Sequence, residues 1–176
     1  MRTAALTLAL LLLPAAGLAY ETVCLDGQAV MAPAGPWHVA VDGGVGVGVF
    51  FATHGRVGLS VGRRFFHRVE LALDFHYGQG VELRSHEESL RAGLLLHLAR
   101  RLDLLLGWRV GYAGFLVDLM AQDVRVGALV VSVVGELRLA LSPSFELRFA
   151  PLTGTGYYNA LWAFTLEPAL GLGWRF

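Results

Sequence analysis

Trp37-His38-Val39-Ala40-Val41-Asp42-Gly43-Gly44-Val45-Gly46-Val47-Gly48-Val49-Phe50-Phe51 is the stretch that decides the fold of this chain. Trp37, Val39, Val41, Gly43, Val45, Val47, Val49 and Phe51 share one parity, and His38, Ala40, Asp42, Gly44, Gly46 and Gly48 share the other. An extended strand sends successive side chains to opposite faces, so a period of two sustained this long makes a strand with one greasy face and one small or polar face.

The same alternation recurs to the end of the chain. Val57, Leu59 and Val61 alternate with Gly58, Ser60 and Gly62, and Val69, Leu71, Leu73, Phe75 and Tyr77 alternate with Glu70, Ala72, Asp74 and His76. Leu90, Ala92, Leu94, Leu96 and Leu98 oppose Ser89, Arg91, Gly93 and His97; Leu102, Leu104, Leu106, Trp108, Val110 and Tyr112 oppose Asp103, Gly107, Arg109 and Gly111. Leu129, Val131, Val133, Leu137, Leu139 and Leu141 oppose Ser132, Glu136, Arg138 and Ala140. Phe145, Leu147 and Phe149 oppose Glu146, Arg148 and Ala150, and Leu170, Leu172, Trp174 and Phe176 oppose Ala169, Gly171, Gly173 and Arg175. Eight strands over about 140 residues leave about 17 for each strand with its connection, and a tilted strand crossing a bilayer uses about 9 to 11 of them. Short connections near Arg63 to Arg68, Ala99 to Arg101 and Ser142 to Ser144 interleave with longer ones near Gly78 to Glu88, Gly114 to Val124 and Pro151 to Asn159. Short periplasmic turns and long outer loops make this pattern in outer-membrane barrels, with Ala52 to Gly55 as a short exception.

Composition fits a chain whose apolar residues are spread over strands. Of 176 residues 55% are hydrophobic and mean hydropathy is +0.55, yet no run approaches the roughly 20 apolar residues of a spanning helix. Lysine is absent, and the arginines balance the acidic residues at a net charge of +0, so no basic surplus attracts nucleic acid. Arg2, the apolar Ala4 to Pro14 and the small residues of Gly17-Leu18-Ala19 have the order of a secretory signal peptide. The expected organisation is a signal peptide over 1–19, a periplasmic N-terminal extension over 20–36 and a barrel over 37–176. Cys24, the one cysteine, has no partner for an internal disulfide, and Val23 and Glu21 do not make a lipoprotein box before it.

Alternation alone does not distinguish a membrane barrel from a soluble one turned inside out. The energetics of arginine decide: facing lipid near the midplane, each would cost about 2 to 4 kcal/mol. The polar parity therefore lines the interior, where Arg91, Arg109, Arg138, Arg148 and Arg175 meet Asp42, Glu70, Asp74, Asp103, Glu136, Glu146 and Glu167 as an ion-pair network. Gly, Ala and Ser on the rest of that face leave room for the long side chains. Trp37, Phe65, Phe66, Phe145, Trp174 and Phe176 fall at the periplasmic ends, and Phe51, Phe75, Tyr77, Tyr112, Tyr157, Tyr158 and Trp162 near the outer ends, as two girdles. Pro168 removes a ladder donor within the last strand, which predicts a distortion there and an upward continuation through Tyr157 to Leu166.

With its leader, its eight alternating strands and the ending Gly171-Leu172-Gly173-Trp174-Arg175-Phe176, the chain resembles the small outer-membrane β-barrels typified by OmpA, OmpX and OmpW. The resemblance implies an all-β, eight-stranded antiparallel up-and-down barrel in the outer membrane of a Gram-negative bacterium. It further implies outer-membrane lipid as the surroundings, a monomer, and recognition of Trp174 and Phe176 by the barrel-assembly machinery.

Chemistry leaves fainter traces. Gly44-Val45-Gly46-Val47-Gly48 has Val at 49 where a dinucleotide fingerprint needs Gly, and inward glycines of a tight barrel account for it. His76 and His97 share the lumenal parity with carboxylates but lack metal-site spacing. Arg84-Ser85-His86-Glu87-Glu88-Ser89 holds a nucleophile, a base and a carboxylate, yet adjacent strand residues point to opposite faces. Gly114-Phe115-Leu116-Val117-Asp118-Leu119-Met120 is apolar for a loop and reads either as a cover of the mouth or as flanking strand carried higher. The expectation is a structural or surface-interaction barrel, not an enzyme, without cofactor, metal or nucleic-acid partner. The alternatives are a narrow channel for small hydrophobic molecules and an outer-membrane lipid-modifying enzyme.

Overall fold

The computed structural model describes residues 35–48, 53–66, 68–119 and 122–176. The leader over 1–19, Cys24, Val49, Phe51 and Met120 lie outside the described residues, as does all of the 20–36 extension before residue 35. The strands are β1 (Trp37–Gly48), β2 (His54–Phe65), β3 (Val69–Gln79), β4 (Leu83–Ala99), β5 (Leu102–Leu119), β6 (Gln122–Ala140), β7 (Phe145–Asn159), β8 (Leu161–Leu166) and β9 (Ala169–Arg175).

Every neighbouring pair is antiparallel, and the sheet closes on itself because β1 pairs with β2 on one side and with β9 and β8 on the other. Gly44 stands opposite Ala169 in β9 and Val47 opposite Leu166 in β8, so these two strands form one stave end to end. The ring therefore has eight staves, an all-β antiparallel up-and-down barrel. At the seam the Trp37 amide donates to the Phe176 carbonyl at 3.2 Å and the Phe176 amide to the Trp37 carbonyl at 3.0 Å. We call the end carrying Trp37, Phe176 and the tight turns the lower end, and the end carrying the hairpins of β3–β4, β5–β6 and β7–β8 the upper end.

The alternation of apolar and polar residues becomes an alternation of exposure. In β9 Leu170, Leu172 and Trp174 are exposed and Gly171, Gly173 and Arg175 buried. Along β6 Leu129, Val131 and Val133 face out, and Ser132, Glu136 and Arg138 face the lumen. The outer face is the apolar one.

The upper segments depart from the sequence-based expectation. Gly78 to Glu88, Gly114 to Val124 and Pro151 to Asn159 are strand for most of their length, leaving connections of a few residues, so Phe115 to Val117 continue β5 upward. Their inward residues Leu83, Ala113, Phe115, Ala128, Val130 and Tyr157 pack into an apolar cluster inside the upper barrel. Tyr157 thus belongs to the interior, edge-on to Phe115 with ring centroids 5.1 Å apart, and is not part of the upper girdle.

The distortion expected at Pro168 has a partner. Against β9 and β8, β7 carries one extra residue between Ala150, opposite Ala169, and Gly154, opposite Leu166. Its register against β6 slips in the same place, between the pairs Leu137–Phe149 and Gly135–Leu152. Pro151 and Pro168, neither of which has an amide hydrogen, therefore share one gap in the ladder. The bulge also reverses the parity of β7: Glu146 and Arg148 point inward below it, Thr153, Thr155 and Tyr157 above it.

The lumenal wall tolerates little bulk. A Cβ on Gly111 would stand 2.6 Å from Cα and Cβ of Ser89 on the adjacent strand. Gly111→Val should therefore destabilise the barrel by about 1–3 kcal/mol or more, seen as a lower midpoint in the thermal loss of its compact form on unheated gels; an unchanged midpoint would contradict the packing.

Candidate functional site in the barrel lumen

The inward parity concentrates charge in a narrow tube. Among the described residues, seven arginines (Arg56, Arg64, Arg91, Arg109, Arg138, Arg148 and Arg175) and eight carboxylates (Asp42, Glu70, Asp74, Glu87, Asp103, Glu136, Glu146 and Glu167) are joined there in ion pairs. Registration alone would oppose their like charges. Arg91 stands opposite Arg109, and Arg138 opposite Arg148, on adjacent strands. The side chains resolve this by reaching in different directions, and the network divides in two.

The lower half centres on Arg138, whose side chain is fully buried. Its guanidinium donates to both oxygens of Glu70, at 2.5 and 2.7 Å, and through Nε to Glu136 at 2.5 Å. Arg91 reaches down to Asp74 at 3.3 Å, Glu136 at 3.2 Å and the Ser60 hydroxyl at 2.9 Å. Arg148 pairs with Glu146 at 2.6 Å, and Arg175 bonds the same carboxylate and lies 3.8 Å from Asp103. Gly173 makes room for this group: a Cβ there would fall 2.7 Å from Arg148 Nε and 2.8 Å from Glu146 Cγ.

The upper half centres on Glu167. It accepts from Arg56, from Arg109 at 3.2 Å, and from the hydroxyls of Thr155 at 2.9 Å, Tyr157 at 2.7 Å and Thr165 at 3.0 Å. Arg109 also lies 3.7 Å from Glu87 and 3.3 Å from His76. His76 lies 3.6 Å from Glu87 and 4.0 Å from Asp42, so it is part of this charged packing, with a cation beside it where a metal would be repelled. His97 bonds Asp103 at 2.6 Å in the lower mouth. Where Arg91 and Arg109 diverge, a cavity of about 40 Å³ remains, lined in part by Ser60, Asp74, Arg91, Arg109 and Glu136, with space for a few waters.

All twelve of the residues assigned to the lumen by sequence, Asp42, Glu70, Asp74, Arg91, Asp103, Arg109, Glu136, Arg138, Glu146, Arg148, Glu167 and Arg175, line this network, Asp42 only at its margin. Arg56, Arg64 and Glu87 join it without having been anticipated. Arg56 follows a segment read as loop, and Glu87 lay inside one; only the parity of Arg56 with Gly58 and of Glu87 with Ser89 would have placed them. Trp174 and Phe176 face outward and are about half exposed. In the stretch 84–89 Ser85, Glu87 and Ser89 turn inward or are buried while Arg84, His86 and Glu88 are exposed, so no serine shares a face with His86.

No family model and no curated protein sequence matches this chain. Solved structures do. Neisserial surface protein A aligns with a TM-score of 0.66 at 16% identity, covering 80% of this chain and 97% of its own. The N-terminal β-barrel domain of Pseudomonas aeruginosa OprF aligns at 0.63 and 17% identity, covering 81% and 99%. The chain has the fold of the small outer-membrane β-barrels. The outer membrane enzyme PagL has this barrel fold too, with a TM-score of 0.56 at 14% identity over 75% of this chain and 97% of that one. One small barrel frame thus serves a surface protein and an enzyme, and fold does not choose between them.

Removing one partner from a buried, hydrogen-bonded charge cluster leaves the others uncompensated. Arg138→Met should cost about 3–5 kcal/mol, and Arg138→Met combined with Glu70→Met should recover part of that loss. Urea unfolding from lipid vesicles followed by tryptophan fluorescence would measure both; a single variant as stable as the parent would mean that the cluster contributes no stability.

Proposed function

We propose that this chain is a monomeric barrel of the bacterial outer membrane, exported by its leader, with a structural or surface-interaction role. The observation that carries the membrane assignment is the outer face. Leucine, valine and aromatic side chains are exposed on every stave, among them Val57 on β2, Phe75 on β3, Leu94 on β4, Trp108 on β5, Val133 on β6, Phe149 on β7 and Leu172 on β9, with Val41 on β1. A water-soluble monomer rarely exposes a contiguous apolar patch beyond a few hundred Å², and here the apolar surface goes all the way round. Lipid satisfies it. The tight turns then lie in the periplasm and the hairpins outside.

The filled lumen supports a structural or surface role over conduction. Arg138, Glu70, Glu146 and Glu167 are essentially inaccessible, the cavity between the two halves has room for only a few waters, and the upper interior is occupied by the packed apolar cluster. A small hydrophobic molecule meets no apolar path past the charged layer. Trp174 and Phe176, outward on the closing stave, are available to the barrel-assembly machinery during insertion. Within the stretch 84–89 itself, Ser85 and Ser89 do not share a face with His86, so those residues do not assemble a nucleophile and its base from one strand.

The expected behaviour is fractionation with the outer membrane and a gel mobility that shifts on heating in detergent. Recovery in soluble periplasmic extract would overturn the membrane assignment. Stable conductance steps in planar bilayers would overturn the closed lumen, and an altered lipid A profile in a deletion strain would favour the enzyme.

A further inference from the structure

The two ends of the barrel differ in charge. At the upper end the exposed ionised side chains of the hairpins are Glu82, Glu88, Asp118 and Asp123 against Arg84 and Arg125. At the lower end Arg68, Arg100 and Arg101 are exposed in the turns, and Arg63 points outward beside Trp37. Among the described residues no carboxylate of the rim answers them: Asp103, the acidic group of that mouth, is held by Arg175 and His97. The β2–β3 turn packs against β4, where the Leu95 amide donates to the Arg68 carbonyl at 2.6 Å, and β4 runs on from there to Ala99 and the turn at Arg100 and Arg101.

Arg63 shows what these cations lack. Its guanidinium lies 5.4 Å from the Trp37 ring and 5.1 Å from the Phe65 ring, at the border of the apolar belt, with aromatic faces and, among the described residues, no ion-pair partner. Next to it Phe66 is 88% exposed at the tip of a turn, with φ at 49°, a conformation that a bulky side chain adopts only under strain. The lower end thus carries one exposed apolar tip, Phe66, in the turn that holds Arg63 and Arg68, and further positive charge at Arg100 and Arg101 in the neighbouring turn. A phospholipid interface supplies acyl chain for the first and phosphate for the second.

We propose that Arg63, Arg68, Arg100 and Arg101, with Phe66 as wedge, form a binding rim for anionic phospholipid headgroups of the periplasmic leaflet. This rests on the membrane assignment above. The carboxylates of the upper end would repel the same headgroups, so the rim also favours one orientation across the bilayer.

The test uses the barrel reconstituted in phosphatidylcholine vesicles doped with spin-labelled phosphatidylglycerol or spin-labelled phosphatidylcholine, and compares how strongly each label is immobilised at the protein surface. Heat-modifiable mobility of the reconstituted sample is checked first; a chain that enters no vesicle sinks the membrane assignment and the rim together. In an inserted wild-type barrel, phosphatidylglycerol should be preferred about fivefold, the effect of one arginine near an anionic surface, and the preference should fall with added salt. Arg68→Gln/Arg100→Gln/Arg101→Gln should remove most of it, and Arg84→Gln/Arg125→Gln should leave it intact. Should the triple variant fail to insert, the salt titration of the wild type decides alone. An inserted wild-type barrel without preference, a preference unaffected by salt, or one retained by an inserted triple variant overturns the proposal.

Discussion

The constraint from which the rest follows is that an arginine inside a narrow barrel has nowhere to go except onto a carboxylate. Eight staves enclose a lumen that side chains fill, and several of the ions inside are shut off from solvent. The cost of removing them from water is offset only where guanidinium and carboxylate groups stand close enough to neutralise one another. That requirement explains the composition of the inner wall. Gly173 yields space to Arg148 and Glu146, and Ser60, Thr155, Thr165 and Tyr157 supply hydroxyls where a carboxylate or guanidinium has spare capacity. It also explains why two arginines can stand opposite each other, because Arg91 and Arg109 reach to opposite halves of the network.

Above the charged layer the same walls solve a different problem. In the upper parts of β4 to β7 the inward face turns apolar, so these segments pack on one another and do not stand as open hairpins. Glu167, at the junction of β8 and β9, ties the two regions together: it binds Arg56 and Arg109 from the network and the Tyr157 hydroxyl from the apolar cluster. The bulge at Pro151 is what permits this. Without its parity reversal Thr155 and Tyr157 would face outward, and Glu167 would lose two of its three hydroxyl donors.

A period of two was enough to read the staves and to assign twelve charged residues to the interior, because parity is a local property of a strand. It failed where parity stopped separating apolar from polar. In Phe115, Leu116 and Val117 both faces are apolar, since one packs inside the upper barrel, so the stretch lost its alternation and looked like an unusual loop. Across Pro151 the alternation changes phase, which read as the end of a strand and concealed Thr153 and Thr155. Arg56 and Glu87 were missed beside such segments. Partner choice was equally hidden, since a long guanidinium selects its carboxylate by reach across the lumen and not by strand position: Arg138 and Glu70 are bonded on β6 and β3, far apart in sequence and in ring order.

A lumen closed in this way also fixes where any biological specificity must be written. The interior is committed to mutual neutralisation and, in the proposed membrane setting, the apolar belt to lipid, so neither can vary much without unfolding or exposing the barrel. The ends are free of both demands. Their backbone bonds are made within hairpins and turns, as where the Gly80 amide donates to the Leu83 carbonyl at 2.7 Å, so their side chains can change at small cost to the fold. It follows that the unequal charges of the two rims are not imposed by the architecture. An acidic upper end and an arginine lower end are choices that the barrel leaves open, and the surroundings of each end are what give them physical meaning.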